Sequence, residues 1–539
     1  MRTPLLKRAA VLAVLAVVAL TTPVAQTADA ASSHALIQGS GSSWAANAIN
    51  QWVADVANQG QQVVFTANGA AQGRKDYANR ANDFGVSDVP FLGKDPTTGQ
   101  ADTPLGRSYA YLPIAAGGTS FPYHVEVAGK LVRNLRLSGE TVAKIFTSKI
   151  TNWNDPAITK DNNNVALPSI PIIPVVHAEG AGVTNQFTRW LAKEYPSIWT
   201  PCNGGIDKET QYYPLNCGKS SGNQKAQSGS DGVMNFIKSK GSNGSIGMEE
   251  YSYPLLSNYP AAKLLNKAGY YTLPTQYNVA VALTRAVIDE NPSSPTYLTQ
   301  NLDKVYVNTD KRTYPLSSYV YAIIPTASDD ERMTTAKRQT IADFLYYSIC
   351  QGQSEIGPIG YSSLPINLVT AGFSQIGKLK SADAKVNLTN RNVSTCHNPT
   401  FIAGKPKVNH LAQIAPQPPA CDKVGAGPCT AGAGAYNGAA SGVGKANADN
   451  ASAAGGATGA GTGAAASGGP AVGNDLGLGT QAGGDTVQAG AAVATTLEPE
   501  AGSGPKGLLT TLLVGLFLLV LVVPAGVGQY VVRKRGPVS

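Results

Sequence analysis

Ala35-Leu36-Ile37-Gln38 runs into Gly39-Ser40-Gly41-Ser42-Ser43, after which Ala45, Ala48, Ile49, Trp52, Val53 and Val56 recur on one helical face. The stretch reads as strand, glycine-serine loop, helix, with Ser42 or Ser43 as the expected N-cap. The next segment repeats the unit. Val63-Val64-Phe65 is a strand, Asn68 to Gly73 a loop of small residues, and Arg74 to Asn82 a helix. Asp83 to Ser87 then returns as a strand that ends at Asp88. A third unit lies in mid-chain. There Pro171 to Val176 is apolar, His177-Ala178-Glu179-Gly180-Ala181-Gly182 is a loop, and Val183, Phe187, Trp190 and Leu191 mark a helix. This alternation predicts an α/β fold with a mainly parallel sheet. It also presents three helix N-termini, whose unpaired N–H groups and dipole suit anions. Ligands of open α/β sheets sit beyond the carboxyl ends of the strands.

Outward from these units the chain changes character. Arg2, Lys7 and Arg8 precede an apolar run from Ala9 to Leu20, and Ala28-Asp29-Ala30 fits a small-x-small cleavage site. Residues 1–30 are therefore expected to be a signal peptide. Residues 31–412 hold the folded region. From about Thr430 to Gly504 the composition collapses to Gly, Ala, Ser, Thr and Asn, and residues 413–506 are assigned to a Gly/Ala-rich flexible linker. Residues 507–532 are long and apolar enough for a single transmembrane helix. Arg533, Lys534 and Arg535 follow in the tail 533–539, which is expected to be cytoplasmic with the ectodomain outside.

The formal charge of +8 belongs to the two ends. Seven of the 42 basic residues and one of the 34 acidic ones lie in the leader and from Lys506 onward, which leaves 35 against 33. A near-neutral ectodomain has no electrostatic footprint for nucleic acid. The six cysteines (202, 217, 350, 396, 421 and 429) are even in number and suit an oxidising compartment. Fifteen pairings are possible, and sequence proximity favours 202–217, 350–396 and 421–429. No CxxC spacing and no histidine cluster points to a metal, and no cofactor is expected. Ser43, His177 and Asp88 are the residue types of a hydrolase triad, but no G-x-S-x-G elbow accompanies them, and no enzyme is expected. Trp52, Trp153 and Trp190 read as core.

The chain resembles the phosphate-binding component of bacterial phosphate ABC transporters over most of residues 36–370. The resemblance rests on Gly39-Ser-Gly-Ser-Ser-Trp44, Asp83-Phe-Gly-Val-Ser-Asp-Val-Pro90 and Leu137-Ser-Gly-Glu-Thr-Val-Ala-Lys-Ile-Phe146. Trp153 to Ile158, Val175 to Gly182, Gly244 to Tyr253 and Gly360 to Pro365 extend it. It implies a two-lobed periplasmic-binding-protein fold of type II that closes over a ligand in its cleft. It further implies phosphate or a related oxyanion as ligand and an ABC transporter permease as partner. The first loop would supply the hydroxyl of Ser43 and the backbone N–H of Trp44. Asp88 would accept the proton of hydrogen phosphate, and N–H groups near Gly182 would bind the anion.

Four positions depart from the family pattern. A serine becomes Ala70, the neutralising arginine becomes His177 with Glu179 as its acidic partner, and a serine and a threonine become Ala181 and Val183. Each lost charge-assisted hydrogen bond is worth roughly 1.5–3 kcal/mol. Arg74 either compensates for the lost cation or sits in solvent. The departures leave open a changed ligand, or a surface scaffold that has lost small-molecule binding.

Overall fold

The computed structural model describes residues 34–429, apart from 97 and 407. The expected signal peptide, most of the linker, the transmembrane segment and the basic tail lie outside them. Among the described residues no helix is long and apolar enough to cross a membrane.

The elements that build the site are, in chain order, β1 (Ile37–Gly41), α1 (Ala46–Ala57), β2 (Val63–Thr66), α2 (Ala70–Ala78), β3 (Phe84–Ser87) and the long β4 (Tyr109–His124). There follow β5 (Arg136–Leu137), β6 (Ile173–His177), α3 (Gly182–Glu194), β7 (Lys225–Gln227), α4 (Gly229–Lys238), β8 (Ser245–Gly247), β9 (Glu249–Glu250) and β10 (Ala261–Leu265). The last are α5 (Gln276–Leu283), β11 (Ser317–Pro325), α6 (Thr335–Ile349), α7 (Ile366–Ala382) and α8 (His410–Ile414).

The strand order β7-β6-β8-β4-β11-β3-β1-β2 shows two parallel sets flanking an antiparallel centre. β4 is shared between the lobes. Tyr109 to Gly118 pairs with β11, whereas Thr119 to His124 pairs with β8, β9 and β10. One 16-residue strand thus belongs to both lobes, and β4 and β11 are buried along almost their whole length. Trp52 and Trp153 are fully buried and Trp190 nearly so, as expected of core.

Local boundaries moved for identifiable reasons. β1 continues to Gly41 because Gly39, Ser40 and Gly41 pair with Phe84, Gly85 and Val86. Ser42 then donates its N–H to the Val86 carbonyl at 2.9 Å, which continues the strand's pairing past Gly41. The cap of α1 therefore falls on Ala45, not on Ser42 or Ser43. α2 begins at Ala70, inside the expected small-residue loop and before Arg74, which puts Gly73 against the backbone of β1. A Cβ at Gly73 would stand 2.4 Å from the Gly41 Cα, so only glycine permits this helix–strand approach.

Residues 413–429, assigned by composition to the linker, are packed instead. α8 docks on α5, the Arg312 guanidinium donates to the Ala412 and Ala415 carbonyls, and Lys263 pairs with Asp422 at 2.7 Å. Arg136 donates to the Cys421 and Ala426 carbonyls. The disulfides are Cys202–Cys217, Cys350–Cys396 and Cys421–Cys429, the pairing that proximity favours. Composition misjudged this segment because its few anchors, Ala415, Asp422 and Cys429, are buried one at a time rather than as a periodic face.

Candidate functional site

Ser42 and Ser43 follow β1, Asp88 follows β3, and His177 closes β6 just before Gly182 opens α3. All stand at the carboxyl ends of parallel strands, where the crossover geometry leaves a crevice. The two lobes bond directly across it. Ala71 N–H donates to the Gly180 carbonyl at 3.0 Å, Ser230 Oγ to Ser43 Oγ at 2.9 Å, and Tyr253 Oη to the Ser43 carbonyl at 2.6 Å. Gln186 Nε2 donates to the Asp88 carbonyl at 3.1 Å.

Asp88 is the centre of the crevice. Its residue is 1% exposed, and Oδ2 faces the first turn of α3 so closely that a Cβ on Gly182 would stand 1.8 Å away. A carboxylate at that N-terminus meets the positive end of the helix dipole. Burial nevertheless pushes Asp88 up to about 6; the Ser42 hydroxyl, its own backbone, Arg74 and His177 oppose the rise without cancelling it. Asp88 Oδ2 is buried with no hydrogen-bond partner among the described residues, as are Thr184 Oγ1 and Asn185 Nδ2 in the opening turns of α3. Buried polar atoms are ordinarily paired, so the unmatched carboxylate oxygen at a helix N-terminus marks a place for a polar guest.

The expected cation is occupied. His177 is 2% exposed and lies between two carboxylates, Glu179 Oε1 at 2.7 Å from Nδ1 and Glu249 Oε1 at 3.1 Å from Nε2. A neutral ring has one N–H, so this sandwich calls for imidazolium. Burial pulls His177 down, but Glu249 and then Glu179 outweigh it and lift the ring to about 10. The charge is answered within the protein and neither nitrogen is left for a ligand. Glu249 and Glu250 are fully buried, and burial raises both above the usual carboxylate range. Glu179, by contrast, is held low: burial would raise it, but His177 and the Gly229 N–H prevail.

Arg74 is neither solvated nor free. It is fully buried and donates through Nε and Nη2 to Asp102, through Nη1 to Ser87 Oγ at 2.8 Å, and through Nη2 to Gln211 Oε1 at 2.7 Å. It acts on Asp88 only through space.

The expected residues therefore divide. Asp88 and Gly182 touch, and His177 lies within electrostatic reach of Asp88. Ser43 is taken up by Ser230 and Tyr253, and its neighbour Ser42 faces Asp88 instead. The Trp44 ring packs on Gly117 and edge-on to Tyr361 at 5.8 Å, and the Trp44 carbonyl accepts from Tyr361 Oη at 2.7 Å. Sequence reasoning missed Ser42, Thr184, Asn185 and Glu249. The paired Glu249-Glu250 inside an otherwise strand-like stretch was the one available signal for the last.

The model of the PBP superfamily domain matches residues 24–351, more than half of the chain. The chain belongs to the PBP superfamily. Among curated PBP relatives, phosphate-binding protein PstS 3 of Mycobacterium tuberculosis is 29% identical over 337 residues, 61% of this chain and 82% of its own length. The phosphate-binding protein PstS of Methanocaldococcus jannaschii is 25% identical over 358 residues, 64% and 86% of the two chains. A solved periplasmic phosphate-binding protein, PfluDING with phosphate bound, is 18% identical with a TM-score of 0.47, covering 68% of this chain and 97% of its own. The resemblance carried by the loop motifs is thus borne out at the level of the superfamily, and the curated relatives named above are phosphate-binding proteins.

Proposed function

We propose that this chain is an exported receptor for phosphate or a related small oxyanion, held at the membrane by residues 507–532 and serving an ABC permease. The observation that carries the ligand assignment is the opposition of the unpaired Asp88 Oδ2 to the N-terminus of α3, with the Ser42 hydroxyl beside the carboxyl group. An oxyanion seated there accepts from helix N–H groups and the hydroxyls, while one protonated oxygen donates to Asp88. Both nearby cations are neutralised by the protein, so the pocket favours the singly charged form of the ligand over the dianion. The export signal, the near-neutral ectodomain and the basic stop after residue 532 support the tether.

Isothermal titration of the full chain with phosphate tests the reading, with sulfate as control. Phosphate heat is expected, with tighter binding near pH 5.5 than near pH 8, because the ligand monoanion, which can donate to Asp88, prevails at the lower pH. No heat and no thermal shift up to about millimolar phosphate, a Kd barely worth about 4 kcal/mol, sinks the proposal. The direct bonds from Ser230 and Tyr253 to Ser43 favour a second reading. In it the protein's own contacts hold the lobes together and the fold serves as a surface scaffold. That reading requires the titration to be silent at both pH values.

A further inference from the structure

A cavity of about 380 Å³ lies away from Asp88 and shares no residue with the crevice. Its floor comes from the start of β4. Tyr109 and Tyr111 are two residues apart on one strand face, edge-to-face at 5.1 Å. The opposite wall is the loop bearing Pro292, Pro295 and Tyr297, tied down by Tyr109 Oη donating to the Pro295 carbonyl at 3.0 Å. Gln375 and Lys378, three residues apart on α7, form the third side.

The polar equipment is unusual for a surface hollow. Arg107 is 2% exposed; its Nε meets Asp330 at 2.7 Å and its Nη1 donates to the Tyr77 and Asn82 carbonyls. Its Nη2 has no partner among the described residues. Gln375 is 3% exposed, and its Oε1 is likewise without one. Lys378 forms no ion pair among the described residues, and burial holds its ammonium below the usual range. Two cationic side chains and no acidic one line the cavity. Flat aromatic and proline walls with a few convergent polar groups are the make-up of a small-molecule site.

We propose that this cavity is a second binding site, separate from the anion crevice, for a small planar aromatic carboxylate. The ring lies against Tyr109, Tyr297 and Pro295, where the π-faces reward an aromatic over an aliphatic body. The carboxylate meets Lys378 Nζ. Inorganic phosphate lacks the apolar body to fill such walls.

The test is saturation-transfer NMR and isothermal titration of the full chain with 4-hydroxybenzoate. Benzyl alcohol, cyclohexanecarboxylate and inorganic phosphate serve as controls. Binding of 4-hydroxybenzoate is expected to exceed that of the alcohol and of the alicyclic acid. Lys378→Met should weaken it about tenfold or more, the loss of one charge-assisted contact. Tyr297→Ala should weaken it as well, at a half-exposed position where folding is not at stake. Asp88→Asn should leave it unchanged, which separates this site from the crevice whatever the fate of the phosphate reading. The proposal is overturned by silence up to about 10 mM, a Kd weaker than any useful affinity. Equal binding by Lys378→Met, or displacement by phosphate, overturns it too.

Discussion

Two buried cations stand within reach of Asp88 and are neutralised in opposite ways. On the first lobe Arg74 meets a single carboxylate, Asp102, through a two-pronged contact, and neutral Ser87 and Gln211 take its other N–H groups. On the second lobe His177 has two carboxylates for one charge, Glu179 at Nδ1 and Glu249 at Nε2. The first cluster has one acid per cation and saturated donors. The second holds an excess of acid that burial keeps in check by raising Glu249. The contrast teaches where the crevice has room for chemistry. Arg74 sits in a network of one acid per cation, whereas the His177 side carries one carboxylate more than its charge answers.

The comparison is broken most directly by removing the cations. His177→Ala leaves Glu179 and Glu249 buried without their counter-charge and is expected to cost about 3–5 kcal/mol of stability in urea unfolding. Arg74→Met keeps the apolar stem but strands Asp102, whose carboxylate retains some solvent contact. A loss of about 2–3 kcal/mol is expected by the same measurement. A larger loss from Arg74→Met than from His177→Ala would reverse the ranking of the two clusters.

Asp88→Asn sharpens the picture with the opposite sign. The folded-state value of about 6 exceeds the ordinary 3.8, so the unfolded chain ionises first and Asp88 destabilises the fold as pH rises through this window. The amide should stabilise by about 3 kcal/mol at pH 8 and by nothing below about pH 4. A constant difference across that range would mean that Asp88 is ionised in the folded protein throughout.

His177 supplies the smallest and most specific readout. Its folded value near 10 lies above the ordinary 6.5, so its stabilisation is complete below about pH 6.5 and fades toward pH 10. Its ring ¹⁵N shifts should therefore stay those of imidazolium from about pH 5 to 8, where an ordinary histidine titrates. Glu249→Gln should bring the midpoint down toward neutrality. An unmoved midpoint would give the whole effect to Glu179.

The strand–loop–helix units were legible because their periods are local: Ile49, Trp52 and Val56 mark α1, and Phe187, Trp190 and Leu191 mark α3. Asp88 and Gly182 were legible through loop motifs, and the structure brings them into contact. The role of Ser42 was not, since one residue of extra pairing with Val86 exchanges it with Ser43. Glu249 was equally hidden, because nothing in Gly247-Met248-Glu249 tells which face of a two-residue strand meets a histidine 72 positions earlier in the chain.

By itself the sequence determined the α/β architecture, the family and the loops that meet in the crevice, since these follow from short-range hydrophobic period and from glycine and serine at fixed offsets. Only the tertiary structure decided the electrostatics. A charge is free or neutralised according to partners brought within about 3 Å by chain segments far apart in sequence, and at that distance a buried carboxylate outweighs desolvation. Arg74 was absorbed by Asp102 and His177 by Glu179 and Glu249 for that reason.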